Sequence, residues 1–199
     1  MPSDPLILAF DTSAAHCAAA LLSGDQVLGV DVDDMARGQA EHLFPLIENL
    51  LGAHGIEWPE LARIGVGIGP GNFTGIRISV AAARGLAVSL GIPAIGVSSL
   101  EVQHRTTPVL ATVPAPRDQC YSQAFTTGAG QPELTTVRAA QDMADRLGIA
   151  MGQPLQPADL VTAIGLRAQA ATDLTPPAPL YIRGADAAPP RDPAPVILP

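Results

Sequence analysis

The stretch Ile64-Gly65-Val66-Gly67-Ile68-Gly69-Pro70-Gly71-Asn72-Phe73-Thr74-Gly75-Ile76-Arg77-Ile78 reads as a buried strand, a glycine-rich turn and the opening of a helix. Five glycines and a proline in this window demand a sharp turn, with torsions or close approaches that a Cβ would obstruct. The helix is predicted to run from Gly75 to about Leu90, where Gly91 and then Pro93 stop it. Thr74 is expected as its N-cap, its hydroxyl accepting from an orphan N–H. Along the helix Gly75, Ser79 and Ala83 fall on one line with Ala82 and Gly85 beside it, whereas Arg77 and Arg84 lie elsewhere on the wheel. Small residues in a line let another element approach the backbone closely. That element is either the helix's own sheet or a second protein chain.

Working outward, Leu6–Phe10, Ala15–Leu22 and Gln26–Val32 are short apolar runs separated by Asp11-Thr12-Ser13 and Ser23-Gly24-Asp25, the pattern of a three-stranded antiparallel meander. A helix is predicted over about Gln39–Ala53. Its apolar residues Leu43, Phe44, Leu46, Ile47, Leu50 and Leu51 cover more than one narrow stripe, so two buried sides are expected. Pro45 either opens this helix or kinks it. A strand at Pro93–Val97 completes the order βββαβα, then β, with right-handed crossovers and parallel pairing for the later strands.

One α/β domain is thus expected over residues 1–100. A smaller one follows over 101–187, with strands at Val109–Val113, Cys120–Thr126 and about Leu134–Val137 and helices at Ala139–Leu147 and Ala158–Ala171. Residues 188–199 form a proline- and alanine-rich tail.

Composition narrows the function. The 199 residues are 47% apolar, enough for a core, and carry a net charge of -8. No basic footprint for nucleic acid is present overall. All eleven basic residues are arginine, which excludes a P-loop lysine, a Schiff-base lysine and a lysine general base. Cys17 and Cys120 lie far apart without metal or disulfide spacing. Met1-Pro2-Ser3-Asp4-Pro5 has no basic n-region, and the apolar stretch Val80–Val97 is broken by Arg84, Gly85, Gly91 and Pro93. A cytoplasmic location is expected.

Candidates for chemistry are few. Ser13 beside Asp11, and Thr74 in the glycine turn, are the tempting nucleophiles. Asp11 is read either as a relic of phosphate or metal machinery or as a turn residue whose carboxylate binds local backbone. His16, His42 and His54 are isolated. The turn Gly69, Pro70, Gly71, Phe73, Thr74, Gly75 also has a phosphate-binding reading, since a helix N-terminus offers free N–H groups; Pro70 removes one of them.

The meander, the Asp11-Thr12-Ser13 turn and a partial second copy resemble the actin-like/ASKHA (RNase H-like) two-lobed α/β fold. Within it, Ile7–Ser13, His42-Leu43-Phe44-Pro45-Leu46-Ile47, the string from Gly67 to Ile78, Gly85-Leu86-Ala87 and Pro179-Leu180-Tyr181-Ile182-Arg183 resemble the bacterial TsaB (YeaZ) family. The resemblance is strong over residues 6 to about 105 and weaker beyond. It implies a non-catalytic partner of the catalytic subunit TsaD, working with the ATPase TsaE. Together they make N6-threonylcarbamoyladenosine at position 37 of tRNAs reading codons that begin with A. It also implies association through the two helices of the first domain. The expected interface is then His42, Leu43, Leu46, Ile47 and Leu50 on one helix and Gly75, Ile76, Ser79, Val80 and Ala83 on the other.

Three departures bear on activity. The first hairpin lacks a glycine, so phosphates would meet Cβ atoms, and the matching loop of the second domain, Pro114-Ala115-Pro116-Arg117, replaces the family's usual Asp-Ala-Arg and loses two donors. TsaD-like proteins carry an HxxxH pair where this chain has Ser99 and Gln103, with His104 one residue out of phase. The expectation is no catalytic residue, no cofactor and no metal, with a homodimer when alone, tRNA contacted only indirectly through the complex, and no membrane. A glycoprotease-like peptidase and a degenerate kinase of the same fold class are the alternatives.

Overall fold

The computed structural model describes residues 4–104 and 108–182. The tail at 188–199 and Arg183 of the closing motif lie outside the described residues. The first sheet has the order β3-β2-β1-β4-β5. Strands β1 (Leu6–Asp11), β2 (His16–Ser23) and β3 (Gln26–Asp34) form the expected meander, and β4 (Leu61–Gly67) and β5 (Ala94–Val97) add in parallel. Between them run α1 (Gln39–Ala53) and α2 (Phe73–Leu90). Pro45 lies inside α1 on its exposed side and does not open it.

β1 from Leu6 to Phe10 and β2 from Cys17 to Leu22 are apolar without a break because both faces of this sheet are covered. Leu8, Phe10, Cys17, Ala19 and Leu21 pack under α1 and α2. Their neighbours Ile7, Ala9, Ala18, Ala20 and Leu22 point the other way, against Leu160, Val161, Ile164 and Ala168 of α4 (Pro157–Ala170). The alternation is the strand period of two, read on both faces.

The second sheet, order β8-β7-β6-β9, contains β6 (Val109–Ala115), β7 (Gln119–Phe125), β8 (Glu133–Thr136) and β9 (Ala150–Met151), with α3 (Val137–Leu147) on one face. The two-residue β9 carries too little apolar signal to be read from sequence. The β6–β7 hairpin turns through Arg117 and Asp118, both at positive φ.

α4 changes the expected division of the chain. Its sequence lies in the 101–187 half, yet it packs on the first sheet, so a boundary at residue 100 does not separate the two cores. The reason is steric and hydrophobic together: the first sheet's second face is left bare by α1 and α2, and Gly165 lets α4 approach Leu22 closely enough to cover it. Arg63 on β4 fixes the end of this helix, its Nη1 donating to the carbonyls of Ala168, Gln169 and Ala171 at 2.9, 3.1 and 2.8 Å.

Candidate functional site

The glycine turn is built for contact with the β1–β2 hairpin. A Cβ on Gly75 would lie 1.9 Å from the Thr12 carbonyl oxygen, and one on Gly71 would lie 2.2 Å from that of Ser13. Hydrogen bonds occupy the approach these glycines permit: Thr12 Oγ1 donates to the Gly75 carbonyl at 2.7 Å and the Asn72 amide donates to the Ser13 carbonyl at 2.6 Å. The helix begins one residue before Thr74. Asn72, not Thr74, is the N-cap, its side chain accepting from the Gly75 amide at 2.9 Å. Turn and hairpin thus satisfy each other, which accounts for the glycine spacing without a bound phosphate.

Asp11 anchors the hairpin from inside. It is fully buried, and its Oδ1 accepts from the Ser13 amide at 2.9 Å and the Ser13 hydroxyl at 2.9 Å and lies 2.8 Å from His16 Nε2. Ser13 and His16 therefore both turn to the same carboxylate oxygen. A nucleophile paired with a base would need them to face each other. The turn-residue reading of Asp11 is the one the geometry supports. Among the described residues no group of three or more histidine, cysteine, aspartate or glutamate side chains could hold a metal ion. His42 pairs with Asp33 of β3, not with His16.

The two helices expected to receive a partner need a correction. Leu43, Leu46, Ile47 and Leu50 of α1 and Gly75, Ile76, Ser79, Val80 and Ala83 of α2 are buried in this chain's own core, and His42 is half-buried. The small-residue line Gly75–Ser79–Ala83 serves the helix's own sheet and hairpin: Ser79 Oγ donates to the Gly67 carbonyl of β4 at 3.1 Å. Sequence periodicity marks the stripe that must be buried. It does not say whether the burying surface is internal or foreign.

What remains outside is the opposite face. On α2 it carries Ala81, Gly85 and Val88, with Val88 85% exposed, beside Arg77 and Arg84. On α1 it carries Phe44, Pro45, Glu48 and Asn49; the Phe44 ring is 6.4 Å from that of Trp58. Of these, the sequence pattern had singled out Gly85, beside the small-residue line, and Phe44, whereas Ala81 and Val88 carry no signal that separates them from the buried stripe. At the start of α2, the Arg77 guanidinium sits 3.9 Å above the Phe73 ring and its Nε donates to the Tyr181 hydroxyl at 2.8 Å. The closing motif is thereby clasped to α2, and the Leu180 amide adds a bond to the Ile68 carbonyl at 2.9 Å.

Between the two sheets lies a cleft of about 1050 Å³. Its walls are the β1–β2 hairpin, the glycine turn, Pro114 and Pro116 of the second hairpin, and Leu180–Ile182.

A family model described as TsaD, tRNA N6-adenosine threonylcarbamoyltransferase, matches residues 25–174. The Escherichia coli tRNA threonylcarbamoyladenosine biosynthesis protein TsaB is 31% identical over 122 residues, 58% of this chain and 52% of the relative. The Bacillus subtilis protein of the same name is 39% identical over 95 residues, 48% of this chain and 42% of the relative. This chain spans about half the length of the curated relatives it matches. YeaZ from Pseudomonas aeruginosa superposes with a TM-score of 0.63 at 25% identity, covering 82% of this chain and 92% of that one. A second Pseudomonas aeruginosa structure, an uncharacterized protein described as similar to peptidase YEAZ, gives 0.70 at 24% identity, covering 90% of this chain and all of that one; it speaks to the fold alone. With the two-lobed α/β architecture and the glycine-turn packing in place, the chain belongs to the family that the TsaD model describes, on its TsaB (YeaZ) branch, with an ASKHA-type fold.

Proposed function

We propose that this chain is a non-catalytic partner of a TsaD-like catalytic subunit in the formation of N6-threonylcarbamoyladenosine in tRNA, docking through the outer face of α1 and α2. A TsaE-like ATPase joins the pair, and tRNA is met through the complex. The relatives' names support the pathway. The observation that carries the docking role is the state of α2. It is the one described helix long and apolar enough to cross a membrane, yet only 28% of it is buried. Its inner face is committed to β4 and the β1–β2 hairpin, and its flanks Ile78, Ala82, Leu86, Ala87 and Leu90 pack against the same core, so the strip left exposed along Ala81, Gly85 and Val88 is a surface awaiting a protein neighbour rather than a span. Ala81 and Gly85 allow that neighbour's backbone to come close, and Val88 gives it apolar area.

Without the catalytic partner the same face pairs with a second copy of itself, in a two-fold homodimer. The chain is placed in the cytoplasm, where tRNA is modified. Size-exclusion chromatography with light scattering tests the docking role. Mixed with the cognate TsaD-like subunit, the wild-type chain gives the mass of a heterocomplex and Val88→Arg does not. Equal masses for the two mixtures, with both chains folded, refute it.

A further inference from the structure

We propose that a hydrogen-bonded joint centred on Gln103 holds the two lobes at one angle, so that the cleft between them keeps a fixed width and a partner meets both lobes as one rigid surface. This does not rest on the docking role of α1 and α2.

The first lobe is the first sheet with α1, α2 and α4, and the second lobe is the second sheet with α3. Between β5 and β6 the chain leaves one for the other through residues 98–104, which hold one short helical turn, Glu101–Gln103. This passage is anchored in both cores. Leu100, fully buried, belongs to the second lobe's cluster of Val109, Ala111 and Phe125, whereas Val102 is buried in the first lobe with Ile95, Val97 and the inner face of α4. Bending the chain here would draw one of the two side chains out of its core and expose apolar area. Arg167 of α4 holds the turn from the first lobe, its Nη2 donating to the carbonyls of Glu101 and His104.

Gln103 makes the bond across. Its Nε2 donates to the Thr112 carbonyl at 2.8 Å and its Oε1 accepts from the Thr112 amide at 3.0 Å. One side chain thus satisfies both main-chain groups of a β6 residue, as a neighbouring strand would. It does so where that strand has ended, since β9 pairs only with Val109 and Leu110 of β6. The same Nε2 donates to the Ser99 carbonyl at 3.1 Å, and the Ser99 amide donates to the Gly69 carbonyl of the glycine turn at 2.9 Å. A path of hydrogen bonds therefore runs from the head of α2 through Ser99 and Gln103 to β6, and Thr112 Oγ1 carries it on to the Gly152 carbonyl at 2.9 Å. The end of the described chain closes on the same joint: the Leu180 amide is bonded to the Ile68 carbonyl, and Ile182 packs against the Leu100 cluster. A change of lobe angle would break several of these bonds at once.

Pulsed electron resonance between nitroxides on Asp31→Cys of β3 and Asp142→Cys of α3, both exposed, tests the joint in the full chain. Cys17 and Cys120 are buried and stay unlabelled, and dilution with unlabelled chain removes distances between copies. The wild type gives one narrow distance. Gln103→Ala broadens it or adds a second, and amide exchange at Thr112 quickens about fivefold or more as its bond is lost. Gln103→Glu turns the donor into a carboxylate oxygen facing the Thr112 and Ser99 carbonyls, so it also broadens the distribution; it carries the test if the alanine variant does not fold. Ile47→Val, which loosens the first lobe's core away from the joint, leaves the distance unchanged. A broad or double distribution in the wild type overturns the proposal. So does an unchanged distribution in the Gln103 variants, or equal broadening in Ile47→Val, which would make the effect one of general loosening. Failure of the docking experiment leaves all of these readouts intact.

Discussion

Gly75→Ala and Gly85→Ala, on the same helix, should move stability in opposite directions. At Gly75 the new methyl would sit 1.9 Å from the Thr12 carbonyl oxygen, an atom of backbone that cannot rotate aside. Overpacking of this kind costs about 3 kcal/mol at the upper end of its usual range. Displacing the hairpin also breaks the 2.7 Å bond from Thr12 Oγ1 to the Gly75 carbonyl. That loss adds about 1 kcal/mol. Alanine's better helix propensity returns about 1 kcal/mol, leaving a net destabilisation of about 3 kcal/mol. At Gly85 nothing lies within 4 Å of the added methyl, so only the propensity gain of about 1 kcal/mol remains. With a denaturant slope of about 2 kcal/mol/M, the urea midpoint falls by about 1.5 M for Gly75→Ala and rises by about 0.5 M for Gly85→Ala. A neutral or stabilising Gly75→Ala would refute the claim that the glycine turn exists to seat α2 against the hairpin.

Other expectations follow from particular contacts. Ala83→Arg and Leu46→Asp bury a charge in the chain's own core and should unfold it, whereas Ala81→Arg, exposed on α2, should leave the melting curve within about 0.5 kcal/mol of wild type and still weaken the heterocomplex by pull-down. Arg63→Met removes the donor to three carbonyls at the end of α4 and should cost about 2 kcal/mol in urea denaturation. Burial, then the charges of Asp33 and Asp11, push the Cys17 thiol from 9.0 up to about 11. The native state therefore holds its proton where the unfolded chain has lost it, so this contribution to stability is complete below pH 9 and fades as the pH rises to about 11. Cys17→Ser should flatten that alkaline limb in urea midpoints measured against pH, and an unchanged limb would count against the assignment.

The first sheet was legible because its strands are short apolar runs between turn residues, α1 because of the apolar residues from Leu43 to Leu51, and α2 because Gly91 and Pro93 stop it. The place of α4 was not. Its amphipathic stripe states that it must be covered, but the bare second face of the first sheet, which covers it, is a property of the assembled fold. The same limit applies to the residues expected to meet a partner, which the fold buries in the chain's own core. Gly75, Ser79 and Ala83 form a small-residue line that serves close packing, and only the three-dimensional position of Thr12 and Gly67 shows that the close neighbour is internal. Asn72 was passed over as the N-cap because Thr74 has the same capacity two residues later, and the Asn72 side chain's bond from the Gly75 amide decides between them.

Reconstituted tRNA modification with single omissions tests the central claim most directly. This chain is incubated with the cognate TsaD and TsaE, with TsaC, which the family resemblance implies as the source of the threonylcarbamoyl-adenylate substrate, and with threonine, bicarbonate, ATP and tRNA, and the modified nucleoside is quantified by mass spectrometry. The account predicts product from the full mixture, none from this chain without TsaD, little when this chain is omitted, and little when Val88→Arg replaces it. Product formed by this chain without TsaD, or undiminished product in its absence, would contradict it.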